Sequence, residues 1–88
     1  MPYIDPNVRE DVLENGPTNA GELNYMITEV INDYLKRSFN YQRINDVMGA
    51  LEGAKLEMYR RLAAPYEDKK LKENGDVYDK RIIPEGGY

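Results

Sequence analysis

Apolar residues recur every three or four positions along two stretches of this chain, and very little separates the stretches. Leu23, Met26, Ile27, Val30, Ile31 and Tyr34 form the first series, and Ile44, Val47, Met48, Leu51, Met58 and Leu62 the second. A period near 3.6 belongs to an amphipathic helix, whereas a half-buried strand alternates every second residue. Asn19-Ala20-Gly21-Glu22 opens the first series with capping-box spacing, and no proline interrupts the second before Pro65. The pattern predicts helices over about residues 19–37 and 41–63, joined through Ser38-Phe39-Asn40 as an antiparallel helical hairpin.

Shorter elements flank this pair. Inside an N-terminal arm, residues 1–17, Asp5-Pro6 and Asn15-Gly16 bracket one short helix, and the apolar content of that helix is slight: Val8, Val12 and Leu13. Such a helix needs a larger surface to stay formed. Pro65 is expected to end the second long helix and to begin a charged one, Tyr66 to Glu73, which Asn74-Gly75 closes with a left-handed stop. Residues 76–88 read as an extended C-terminal tail carrying Tyr78, Ile82, Ile83 and Pro84. Its Glu85-Gly86-Gly87 end is expected to be mobile unless a neighbouring surface holds it. The whole chain, 1–88, reads as a single all-α domain.

Composition removes several function classes. Eighty-eight residues without cysteine or histidine cannot supply a disulfide, a Cys/His zinc site, a thiol nucleophile or an imidazole base. Sixteen acidic against twelve basic residues give a net charge of −4, which disfavours a duplex nucleic-acid partner. The apolar runs are far shorter than the ~20 residues that cross a bilayer, and no charged-then-apolar leader opens the chain. The expectation is a soluble, intracellular, non-catalytic protein with no membrane partner, no metal and no cofactor.

The second long helix presents two faces. Ile44, Met48, Leu51, Lys55, Met58 and Leu62 fall within an arc on the order of 100° that is expected to pack on the first helix. Lys55 in that arc needs a charge partner or a route to solvent. Roughly opposite lie Gly49, Gly53, Leu56 and Arg60. Two glycines inside a helix cost about 1 kcal/mol each relative to alanine, and close backbone approach by another subunit would offset that. Gly49, Gly53 and Leu56 are therefore candidates for an oligomer interface, and a homo-oligomer is expected of so small a core.

Eight tyrosines beside one phenylalanine and no tryptophan favour surfaces that are half apolar and half polar. Tyr59-Arg60-Arg61 and Pro65-Tyr66-Glu67-Asp68-Lys69-Lys70 bring rings, guanidinium groups and ammonium groups together, a combination that stacks a base and pairs a phosphate. The candidate ligand-binding residues are Tyr59, Arg60 and Arg61, Lys55 as a second phosphate contact, and Tyr66, Lys69 and Lys70 as a rim. Tyr25 and Asn24 are expected to reach the pocket from the first helix, with Asn24 reading a base edge. A rival pattern is the carboxylate stripe Glu22, Glu29 and Asp33, which invites a Mg²⁺-dependent nucleotide pyrophosphohydrolase. Glu52 and Glu57, five apart on the second helix, point in different directions and do not complete such a site.

Several blocks resemble a group of small uncharacterised proteins from phages, prophages and bacteria. They are Met1–Ile4, Gly21–Tyr25, Asn40–Glu52, Ala54–Glu57, Tyr59–Arg61, Pro65–Lys70 and Glu73–Tyr78. The resemblance covers most of residues 19–78 and implies a phage or prophage setting without supplying catalytic residues. In size, helicity and expected oligomerisation the chain is also similar to phage sponges that sequester cyclic-nucleotide or ADP-ribose-type immune messengers. The expected function is sequestration of an anionic nucleotide-like molecule, of the host immune-signal class, at a subunit interface. The alternative is a small protein–protein interaction module acting on a host or virion protein.

Overall fold

The computed structural model describes residues 1–84, and the expectation about Glu85-Gly86-Gly87 lies outside them. Asp5 and Pro6 start the first helical turn. The Asp5 carboxylate accepts the Asn7 N–H at 2.9 Å, and a 3-10 turn, Pro6–Val8, leads directly into α1, Arg9–Asn15. Gly16 ends α1 at φ 93° and ψ 163°, with its N–H on the Val12 carbonyl at 2.9 Å. That backbone region is open to glycine and costs other residues about 1–3 kcal/mol.

Helix α2, Ala20–Lys36, begins as its capping pattern dictates. Asn19 Oδ1 accepts the Glu22 N–H at 2.9 Å, and Glu22 Oε1 accepts from the Thr18 N–H at 3.0 Å and the Thr18 hydroxyl at 2.9 Å. Helix α3, Tyr41–Met58, starts at Asn40, whose Oδ1 accepts the Arg43 N–H at 2.9 Å.

Pro65 does not end the second long helix. A π-helical turn, Tyr59–Ala63, carries the chain from α3 straight into α4, Ala64–Asn74, and the Ala64 N–H reaches back five residues to the Tyr59 carbonyl. The proline ring would collide with the carbonyl four residues earlier in a regular helix, and the wider turn relieves that collision. Gly75 stops α4 at φ 87° and ψ 156°, a mirror-extended conformation in place of the expected left-handed helical one. Beyond it the tail is not simply extended: the Ile82 N–H donates to the Asp79 carbonyl at 3.0 Å in a turn over Asp79–Ile82. Among the described residues there is no strand, and no helix is long and apolar enough to cross a membrane.

The chain forms two compact units, Met1–Ala50 and Leu51–Tyr88. In the first, the N-terminal arm lies over the start of α2. The Arg9 guanidinium donates twice to the Ile4 carbonyl, at 3.1 and 3.0 Å, and sits 5.7 Å from the centre of the Tyr25 ring. A Cβ on Gly21 would meet the Met1 carbonyl oxygen at 3.5 Å and Ile4 Cγ2 at 3.7 Å. Val12, 1% exposed, is the one hydrophobic residue fully buried among the described residues.

At the other end of this unit, α2 and α3 are tied by polar groups. The Arg43 guanidinium lies 3.9 Å from the centre of the Tyr34 ring and donates to the Tyr34 carbonyl. The Tyr34 hydroxyl donates to Asp46 Oδ2 at 3.1 Å, and Gln42 steadies the other oxygen of Asp46 at 2.9 Å. The burial expected for the apolar arc of the second helix is not found: Met48 is 65% exposed, Leu62 70%, and Leu51 and Met58 are exposed as well. The physical reason is area. Between Met48 and Met58 the chain offers Leu51 and Leu56 amid Gly49, Ala50, Gly53, Ala54 and charged side chains, too little apolar surface to hold a second helix along its length.

Candidate functional site

Within the second unit, the reversal at Gly75 creates a cleft of about 500 Å³. Tyr59 from the π turn, Glu67, Asp68, Lys70, Leu71 and Asn74 from α4, and Gly75 to Tyr78 beyond it form the lining. The volume falls in the small-molecule range. The Tyr78 N–H donates to Asp76 Oδ1 at 3.0 Å, which tightens the return of the chain.

Of the residues singled out in the sequence, this cleft holds Tyr59 and Lys70 and leaves Lys55, Arg60, Arg61, Tyr66 and Lys69 outside its lining. Most of the expected phosphate contacts already have acidic neighbours on their own helix. Arg60 pairs with Glu57 at 2.7 Å, Lys70 with Glu73 at 3.2 Å, and Lys55 faces Glu52 at 3.9 Å. Lys55, with a side chain 70% exposed, reaches solvent and carries no burial penalty of the kind its place in the arc predicted. Arg61 and Lys69 make no ion pair among the described residues. Lys70 also lies over the Tyr66 ring, 5.6 Å from its centre. Tyr78, Asp76 and Leu71 line the cleft with Tyr59 although their spacing did not mark them; the signal was Asn74-Gly75, which ends α4 and lets the chain return.

Asn24 and Tyr25 stand in the first unit. Asn24 is exposed, and its carbonyl accepts the Thr28 hydroxyl at 2.9 Å. Partial burial, and then the neighbouring Glu29 carboxylate, push the Tyr25 hydroxyl above its ordinary pKa. Gly49 and Gly53 are bare: a Cβ on either would meet nothing within 4 Å, and Leu56 beside them is exposed.

The carboxylate stripe of α2 does not converge on a metal. Glu22 is taken up by Thr18 and Asn19 at the helix start, and Asp33 pairs with Lys36 at 2.8 Å, which holds the Asp33 carboxyl below its usual range. Among the described residues no group of three acidic side chains is placed to hold a metal ion.

The blocks Met1–Ile4 and Gly21–Tyr25, far apart in sequence, thus meet at Arg9, and Tyr59 lines the same cleft as Asp76–Tyr78. A family model described as a domain of unknown function, DUF6899, matches residues 1–77. The chain belongs to this family. The match takes in the N-terminal arm on α2 and most of the residues lining the cleft, ending within the return segment at Val77. No curated protein matches the chain, and no solved structure does.

Proposed function

We propose that this protein is a non-catalytic helical association module whose working form is a homo-oligomer. The observation that carries this is the exposure of Leu23, Ile27, Val30 and Tyr34, which share one stripe of α2. Their steps of four, three and four residues are those at which one helix seats its side chains between those of another. With Val12 alone fully buried, the described residues supply little core, and small domains of this kind gain stability by association.

A second copy fits the stripe. Glu22 stands at the start of α2, and Lys36 and Arg37 at its end. A two-fold antiparallel pair sets the acidic start of each helix beside the basic end of the other and opposes their dipoles. The bare face of α3 at Gly49, Gly53 and Leu56 offers a second contact where backbones approach closely, and the exposed Met48 and Leu51 complete the hairpin core in the assembly. Static light scattering and native mass spectrometry test this. A closed oligomer that dissociates on dilution is expected; a chain that stays monomeric at high micromolar concentration would overturn it.

A second reading, sequestration of an anionic nucleotide-like ligand of the host immune-signal class between phage-protein subunits, draws support from Arg61 and Lys69, which make no ion pair among the described residues. Replacing both by alanine should abolish binding of a cyclic dinucleotide while the oligomer stays intact. No gain of ligand mass across a panel of cyclic dinucleotides, cyclic trinucleotides and cyclic ADP-ribose isomers would exclude it.

A further inference from the structure

The cleft at the C-terminal end of α4 has a chemistry that neither association nor anion binding uses. Two tyrosines, Tyr59 and Tyr78, and two aliphatic side chains, Leu71 and Val77, give it aromatic and apolar lining. Glu67, Asp68 and Asp76 give it charge. Its one cation, Lys70, is already neutralised by Glu73, and Glu67 and Asp68 make no hydrogen bond or ion pair among the described residues. The cleft is therefore rich in carboxylates and lined by two tyrosines, a residue whose ring face attracts cations within about 6 Å of the ring centre. Lys70 on the Tyr66 ring shows the same attraction one turn away.

We propose that this cleft binds a small organic cation, an ammonium or quaternary ammonium group on an apolar stem, such as a polyamine. The charged head sits among Glu67, Asp68 and Asp76, where an anion would be repelled. The stem covers Leu71 and Val77, and Tyr59 and Tyr78 supply ring faces. A bare divalent metal suits the site poorly, because it would need oxygen ligands all round and would leave the rings and aliphatic side chains unused.

The test is isothermal titration of the full chain with spermidine and with choline, alongside ATP and Mg²⁺, at physiological salt. Either organic cation should bind with saturation at one site per chain. Tyr78→Ala and Tyr59→Leu should each weaken it by roughly five-fold or more, since leucine keeps apolar volume and removes the ring face. Asp76→Asn should weaken it further as salt is lowered, because less screening makes the missing charge count for more. Circular dichroism of each variant checks that α4 is intact, and the Tyr59 and Tyr78 ring resonances should shift on titration into the wild type. Binding unchanged by Tyr78→Ala and Tyr59→Leu would mean diffuse attraction to a chain of net charge −4 and would overturn the proposal. So would saturable binding of ATP or Mg²⁺ at this cleft, or no binding of either organic cation.

Discussion

Val30→Ala separates association from folding. Val30 is 67% exposed at the centre of the α2 stripe, so truncating it removes little from the chain by itself. Alanine is the better helix former, by about 0.5 kcal/mol, and the isolated chain should hold its helicity or gain slightly. Across an interface the sign reverses. Two methyl groups are worth about 1.6 kcal/mol when fully buried, and two-thirds of that area is still open, which leaves about 1 kcal/mol per copy. A two-fold interface repeats the loss, for about 2 kcal/mol or a roughly 30-fold weaker dimer. Sedimentation velocity across a dilution series gives the dissociation constant, and circular dichroism at the lowest concentration gives the helicity of the monomer. An unchanged dissociation constant, or a monomer that loses helix, would refute the reasoning.

Three further outcomes are expected. Gly75→Ala forces a side chain into φ 87° and should cost about 1–3 kcal/mol locally, read as faster proteolysis after Asn74 and loss of the cleft with α4 still helical. The Asp33 carboxyl, held low by Lys36, stabilises the last turn of α2 above its unfolded pKa of about 4, and that stabilisation disappears as pH falls through the lower folded value. The acid circular-dichroism curves of wild type and Asp33→Asn should therefore differ below about pH 4 and run parallel above it; identical shapes throughout would remove the ion pair as the cause. In an ultraviolet phenolate titration Tyr25 should ionise later than an ordinary tyrosine, and Glu29→Gln should bring it part of the way back, leaving the contribution of burial.

Local signals were legible in the sequence where one residue type performs one task. Asn19 and Glu22 cap α2, Gly16 and Gly75 reverse the backbone, and the apolar steps from Leu23 to Tyr34 mark a helix, all as their types and spacings dictate. What depended on contacts between distant residues was hidden. Nothing in the pattern announces that Arg9 ties down the Ile4 carbonyl, or that Arg43 lies over the Tyr34 ring in place of an apolar hairpin core. Periodicity also ranks Met48 and Leu62 with core residues because it counts apolar positions and cannot say what covers them; both are exposed. For the candidate site, tyrosine abundance pointed to Tyr59, while the sign of its surroundings came from Glu67 and Asp68 on α4 and from Asp76, which lies beyond the turn at Gly75.

The π turn at Tyr59–Ala63 also acts as a phase shifter. Tyr59 and Tyr66 are seven residues apart, which in an uninterrupted α-helix would stack them on one side, two turns apart. The widened turn absorbs one residue and so rotates everything after it by about 100°. Tyr59 enters the cleft and Tyr66 does not, and the α4 side chains that join Tyr59 are Glu67, Asp68, Lys70, Leu71 and Asn74. A regular helix of the same length would instead turn Tyr66 to the side of Tyr59, so the one extra residue held in this five-residue stretch decides which α4 residues face it.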